Sequence, residues 1–379
     1  MNARKFIVIG LLLLTTNVFS QDPNFHIYLC FGQSNMEGQG TIETQDKTVD
    51  SRFKVMEAIN CNNLGRTKGN WFSATPPLTR CYTGLSPADY FGRTMVENLP
   101  DSIKVGVINV SVAGCKIELF DKVNYQTYAA SVASWMTNII NEYGGNPYAH
   151  LVELAKLAQQ DGVIKGILMH QGESNTGDNQ WPSKVKGIYD NLMTDLSLDP
   201  TIVPLLAGEV VHADQGGACA SMNSIIGKLP QSIPNSHVIS SSKCTDAADN
   251  LHFNSEGYRE LGKRYGVKML SLLGIEETEN PTTVINLLES NNGYALGQNY
   301  PNPYNGKTSI SFELPNDNYV SLKVYNMTGV EITELAGKTY IKGIHTVEFD
   351  SGKLSKGIYF YTLKTNEFSV SRKMMIIAY

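Results

Sequence analysis

Four short segments of this chain carry residue types that can do acyl-transfer chemistry. The first, Gly32-Gln33-Ser34-Asn35-Met36, sets a serine hydroxyl directly after an apolar run, with Gly38 and Gly40 keeping the following loop slim. A serine hydroxyl is a weak nucleophile until a base removes its proton and donors stabilise the oxyanion that forms. The second segment, Asp249-Asn250-Leu251-His252, supplies such a base. Its spacing lets the aspartate fold back on one imidazole nitrogen while the other faces a nucleophile. The third, His170-Gln171-Gly172-Glu173-Ser174-Asn175, offers the Gln171 amide as a donor to an oxyanion and Glu173 as a second acid able to orient a histidine. The partner of His252 is therefore open between Asp249 and Glu173. The fourth, Val112-Ala113-Gly114-Cys115, can present the unhindered backbone N–H of Gly114 to the same oxyanion.

Each segment has a plainer reading when taken alone: a turn serine, a helix-capping aspartate, polar loop residues. Their common placement argues otherwise, because each follows an apolar run of strand type. Those runs are His26 to Phe31, Ile103 to Val110, Val163 to Met169, Val203 to Gly208 and His237 to Ser240. Amphipathic stretches alternate with them. Val185, Ile188, Tyr189, Leu192, Met193 and Leu196 share one helix face, as do Tyr258, Leu261, Tyr265, Met269 and Leu272. Alternating strands and helices predict a parallel sheet with crossovers, hence a three-layer α/β/α sandwich over residues 22–275. Ligands bind such sheets beyond the carboxyl ends of the strands, where all four segments lie.

Together the four segments resemble the SGNH/GDSL hydrolase superfamily, whose sandwich is flavodoxin-like. Within it they resemble the branch of sialate O-acetylesterases and family 6 carbohydrate esterases, the acetylxylan esterases. Gly32-Gln33-Ser34-Asn35-Met36 looks like that branch's nucleophile block, and His170-Gln171-Gly172-Glu173-Ser174 its third block. The resemblance implies Ser34 as nucleophile and His252 as general base, with Asp249 or Glu173 behind the histidine. It implies an oxyanion hole from the N–H groups of Ser34 and Gly114 and the side chain of Gln171. The implied substrate is an acetylated carbohydrate, acetylated xylan ahead of sialic acid, with no metal or organic cofactor. Spacing also speaks against a metal: there is no Cys-x-x-Cys pair, and His170 and Glu173 lack a helical histidine partner. Glu209, His212, Trp71 and Trp181 are weaker candidates for sugar contact, the tryptophans reading first as core. A general short-chain esterase and a non-catalytic carbohydrate-binding protein are the alternative functions.

The rest of the chain bears on location. Arg4 and Lys5, the apolar run Phe6 to Leu14 and the small-residue site Val18-Phe19-Ser20 predict a cleaved signal peptide over residues 1–20. No later run is long enough to insert stably in a membrane. A net charge of -5 without a basic cluster gives no sign of nucleic acid binding. Export permits disulfides, and of the 6 cysteines the pairs Cys61–Cys81 and Cys219–Cys244 each bracket a loop, whereas Cys30 and Cys115 read as buried thiols. Residues 276–292 turn polar and Pro-containing, a linker. Beyond them, over residues 293–379, alternating runs such as Val320 to Tyr325 and Ile358 to Leu363, parted by turns, predict a small all-β sandwich. That tail resembles the C-terminal sorting domain of the type IX secretion system, on Asn299 to Asn305, Val324 to Gly329, Gly357 to Tyr361 and Lys373 to Ile377. This resemblance implies engagement with secretion machinery and a secreted or cell-surface location reached through the periplasm.

Overall fold

The structure, a computed structural model, describes residues 21–275 and 293–376, apart from positions 300, 301, 303, 305 and 353. The expected signal peptide and linker lie outside the described residues. Contacts divide the chain into two compact units, with the division at Met269/Leu270.

The first unit is built on β1 (Asp22–Gly32), β2 (Phe53–Met56), β3 (Trp71–Ser73), β4 (Lys104–Ser111), β5 (Gly162–His170), β6 (Leu205–Gly208) and β7 (Ser236–Ile239). Their order across the sheet is β3-β2-β4-β1-β5-β6-β7. All neighbours run parallel except β2 and β3, which pair antiparallel at one edge. Ile27, Tyr28, Leu29 and Cys30 on β1 are fully buried, which requires cover on both faces of the sheet. Tyr28 meets Phe91 of α1 (Pro87–Asn98) at 4.8 Å between ring centroids. Ile27, Leu29 and Phe31 join the opposite core with α3 (Pro147–Ala158) and α4 (Trp181–Asp195). The three layers expected from the alternation are present.

Register explains how the loops meet. Gly32 stands opposite Ser111 of β4 and opposite His170 of β5, so three strand ends finish side by side. Among the parallel strands, chain order brings β2 and β4 to one side of β1 and β5, β6 and β7 to the other. The crevice beyond Gly32, Ser111 and His170 is thus the place where connections diverge. Glycine is required at 32 because a Cβ there would stand 2.1 Å from the His170 carbonyl oxygen.

Helix α1 starts with a capping box that buries a carboxylate. Asp89 accepts from the Ser86 N–H at 2.9 Å and the Ser86 hydroxyl at 3.1 Å, while its other oxygen has no partner. Burial pushes the Asp89 carboxyl up to about 7, against the pull of the Ser86 donors. Between the ordinary aspartate range and about 7 the folded state therefore holds a proton that the unfolded state has lost. Stability from this group is present at acid pH and falls as pH rises through that window, at up to about 1.4 kcal/mol per pH unit. Asp89→Asn, which cannot titrate, should show a flatter stability difference between pH 5 and pH 8 than the parent in denaturant titrations. Parallel curves for the two proteins would refute this.

In the second unit β9 (Lys307–Leu314), β12 (Gly343–Asp350) and the short β8 (Ala295–Leu296) form one sheet. The other holds β10 (Asn318–Asn326), β11 (Glu331–Tyr340), β13 (Gly357–Lys364) and β14 (Ser369–Ile376). Ile310, Phe312 and Leu314 of the first share a core with Val320, Leu322, Val324, Tyr361 and Leu363 of the second. The pairs within both sheets run antiparallel, and the shared core makes the unit a β-sandwich.

Candidate active site

The serine segment leaves β1 as a single helical turn, Ser34–Glu37, preceded by an extended Gln33 whose N–H donates to the His170 carbonyl at 3.0 Å. Ser34 thus stands at the strand's end above the crevice. His252 reaches it from the loop before α5 (Ser255–Leu272), with Nε2 2.9 Å from Ser34 Oγ. The other ring nitrogen, Nδ1, lies 2.7 Å from Asp249 Oδ2. Asp249 Oδ1 accepts the backbone N–H groups of His252 and Leu251 at 2.8 and 2.9 Å. Partial burial works against the charge on Asp249, but these N–H groups and the imidazole hold its carboxyl below the usual range. Ala248 and Asn250, on either side, have φ of 63° and 58°, a left-handed bend that costs about 1–2 kcal/mol per non-glycine residue and turns the carboxylate under the ring.

Glu173 does not take this place. Its Oε1 accepts from Asn35 Nδ2 at 2.5 Å and lies 3.7 Å from His170 Nδ1, so its partners are not His252. Asn35 is the hub of the site. It also donates to the Leu251 carbonyl at 3.0 Å and accepts from the Tyr258 hydroxyl at 2.6 Å and the Phe253 N–H at 3.3 Å. One buried amide thus fastens the serine turn to the third segment and to the loop carrying His252.

The oxyanion side departs from expectation at one residue. Gly114, at φ 70°, lines the cleft, and neither its N–H nor that of Ser34 donates to another described residue. Gln171 instead is buried and outside the cleft lining. Its Nε2 donates to Asn175 Oδ1 at 2.8 Å, Gln33 Oε1 at 3.1 Å and the Cys115 carbonyl at 3.2 Å, and its Oε1 accepts from Trp181 Nε1 at 2.5 Å. An amide with every hydrogen committed cannot serve a substrate. Gln33, unlike Gln171, lines the cleft. Gln171 Nε2 and the N–H groups of Gly172 and Ser174 all point at one atom of its amide, which must therefore be the oxygen. Its Nε2 is left for the cleft, which Gln33 lines. The residue next to the nucleophile was visible in the sequence; what it donates to depends on these three partners.

Glu37 sets the height of the Gly114 loop. This buried carboxylate accepts the Ala113 N–H at 3.2 Å and pairs with Arg80 at 3.0 Å, which also reaches Glu142 at 3.3 Å. Burial pushes the Glu37 carboxyl up, and Arg80 and the Ala113 N–H draw it back.

Of the two expected disulfides, Cys61–Cys81 is formed, closing the loop that carries Arg80. Cys219 and Cys244 are free, as are the buried Cys30 and Cys115. Cys219 directs its thiol to the Glu173 carbonyl at 3.7 Å, whereas Cys244 is fully buried, so bracketing a loop did not make them neighbours. Glu209 accepts from the Ser241 N–H, and neither it nor His212 lines the cleft. Trp181 is core, and Trp71 packs on Phe25 at 4.7 Å and donates to Asp161. No three His, Cys, Asp or Glu side chains among the described residues converge as a metal site requires. The cleft itself has a volume of about 370 Å³.

A family model described as carbohydrate esterase, sialic acid-specific acetylesterase, matches residues 24–271. A second model, for the secretion system C-terminal sorting domain, matches residues 298–377 and marks the chain for export to the cell surface or the medium. No helix among the described residues is long and apolar enough to cross a membrane. Among solved structures, a protein from Arabidopsis thaliana is similar with a TM-score of 0.51 at 21% identity, over 66% of this chain and 99% of that one. NanS is similar with a TM-score of 0.50 at 16% identity, over 66% of this chain and 98% of that one. At these identities the likeness is one of fold.

Proposed function

The chain belongs to the carbohydrate esterase family of sialic acid-specific acetylesterases, and from that membership we propose both its reaction and the residues that run it. It removes O-acetyl groups from a carbohydrate through an acetyl-enzyme on Ser34, with acetylated xylan as the favoured polymer. The observation that carries the reading is the continuous line from Ser34 Oγ to His252 Nε2 at 2.9 Å and from Nδ1 to Asp249 Oδ2 at 2.7 Å.

Ser34 Oγ attacks the acetyl carbonyl carbon as its proton passes to His252 Nε2. Asp249 holds the Nδ1–H and stabilises the imidazolium. The carbonyl oxygen, now negative, is received by the N–H groups of Ser34 and Gly114 and by Gln33 Nε2. Collapse breaks the bond to the sugar oxygen, which leaves with the proton from His252. Water then attacks the acetyl-enzyme with His252 as base, releasing acetate and restoring the serine. Every step uses groups of the chain and water.

A cleft of about 370 Å³ that mixes polar side chains such as Gln39 and Ser174 with Trp135 and Leu251 suits an acetyl group on a sugar better than a long acyl chain, which needs an apolar channel. A leader over residues 1–20 would bring the chain to the periplasm, and the C-terminal unit would carry it onward. Acetate release should be measured on acetylated xylan, other acetylated plant polymers and O-acetylated sialic acids, beside butyrate and octanoate esters. Acetylated sugars should be the best substrates. Faster turnover of the longer esters would favour a general esterase, and no turnover of any would favour a binding protein.

A further inference from the structure

The chain has 3 tryptophans, and two are spoken for inside the fold. Trp181 is buried and Trp71 is packed on Phe25 with its N–H on Asp161. Trp135 is different. It is the second residue of α2 (Ser134–Glu142), it remains 51% exposed, and it lines the same cleft as Ser34, Gly114 and His252. A large aromatic surface left open beside a reactive group is the surface a ligand covers.

Its placement is tied to the oxyanion loop. A Cβ on Gly114 would lie 3.0 Å from Cη2 of the indole, so the ring edge rests against the glycine assigned above to the oxyanion. In an O-acetylated sugar the ring begins one oxygen atom beyond the carbonyl carbon. With the carbonyl oxygen at Gly114, that ring has to lie within van der Waals reach of its surroundings at this end of the cleft, where the indole stands. The negative face of an indole attracts the positive edge of C–H bonds, and a pyranose presents such a face.

Charge narrows the class of sugar. Among the described residues no arginine or lysine lines the cleft. Arg80 is engaged by Glu37 and Glu142. An anionic sugar would bring its own carboxylate into the cleft with no lining cation to answer it, which is costly in a partly desolvated cleft. We propose that Trp135 is the stacking platform for the ring of an uncharged O-acetylated pyranose, and so sets specificity on the leaving-group side. This rests on the acetylesterase reading above.

The test compares the full-length parent with Trp135→Ala and Trp135→Phe on three esters: an O-acetylated methyl β-xylopyranoside, an O-acetylated N-acetylneuraminic acid, and ethyl acetate, which has no ring. Trp135→Ala should raise KM for the xyloside about tenfold, with kcat nearly unchanged, which is the signature of lost ground-state binding. Its kcat/KM on ethyl acetate should stay within about twofold of the parent, and Trp135→Phe should restore most of the loss on the xyloside. Equal losses on xyloside and ethyl acetate would overturn the proposal, since Trp135 would then only brace the Gly114 loop. An unchanged KM for the xyloside would overturn it too, as would a parent that prefers the sialic acid ester with that preference intact in Trp135→Ala. A parent that cleaves ethyl acetate but neither sugar ester would instead defeat the acetylesterase reading itself, and this inference with it.

Discussion

Ser34→Ala should lower kcat for acetate release from acetylated xylan by about 10⁴-fold or more while leaving the fold intact. The size follows from what disappears. His252, Asp249 and the donors around Gly114 would all remain, so the variant could still bind ester and polarise its carbonyl. It would have no atom able to form the acetyl-enzyme, and the residual rate would be that of water in a pre-formed oxyanion site. The fold should survive because, among the described residues, the Ser34 side chain bonds only to His252, whereas the turn around it is held by Asn35 and by backbone contacts to His170. Acetate release and a thermal melt of the same preparation make the comparison. A fluorophosphonate probe should add one label to the parent, on Ser34, and none to the variant. A variant within tenfold of the parent would remove Ser34 as nucleophile.

The sheet and the main axis of this site were legible in the sequence, and the reasons are specific. β1 shows as an unbroken apolar run because it is covered on both faces, and the serine and His170 segments follow such runs directly. β2 and β3 went unseen because they are short and neither sits in a longer apolar run: Lys54 interrupts the first and Ser73 ends the second. β11 went unseen because its residues are almost all partly or fully exposed, so no apolar alternation marks it. The Asp249–His252 spacing was readable since both residues lie on one turn. Hydrogen-bond partners across the fold were not: the commitment of Gln171 to Asn175, Cys115 and Trp181 joins residues separated by 4, 56 and 10 positions, and nothing local announces it. The same holds for Trp135, whose contact with Gly114 joins residues 21 positions apart.

Asp249→Asn and Glu173→Gln, set side by side, decide which acid serves the histidine, and the expected gap is large. In the parent, Asp249 accepts from Nδ1–H and so leaves Nε2 bare to take the serine proton. Its Oδ1 is already fixed by the N–H groups of His252 and Leu251, so an asparagine would keep its oxygen there and turn its NH₂ toward Nδ1. That donor would force Nδ1 to accept, move the ring proton to Nε2, and confront Ser34 with a hydrogen instead of a lone pair. The imidazolium formed during attack would also lose its counter-charge. Asp249→Asn should therefore lose about 10³–10⁴ in kcat, with little change in stability because the backbone bonds persist. Glu173→Gln keeps an oxygen to accept from Asn35 Nδ2 and touches neither nitrogen of His252, so its kcat should fall less than about tenfold. The small loss it does show should come through Asn35, whose second bond to the Leu251 carbonyl steadies the histidine loop. A near-parental rate in Asp249→Asn together with a deep loss in Glu173→Gln would transfer the role to Glu173. That outcome would mean the histidine loop rearranges when substrate binds.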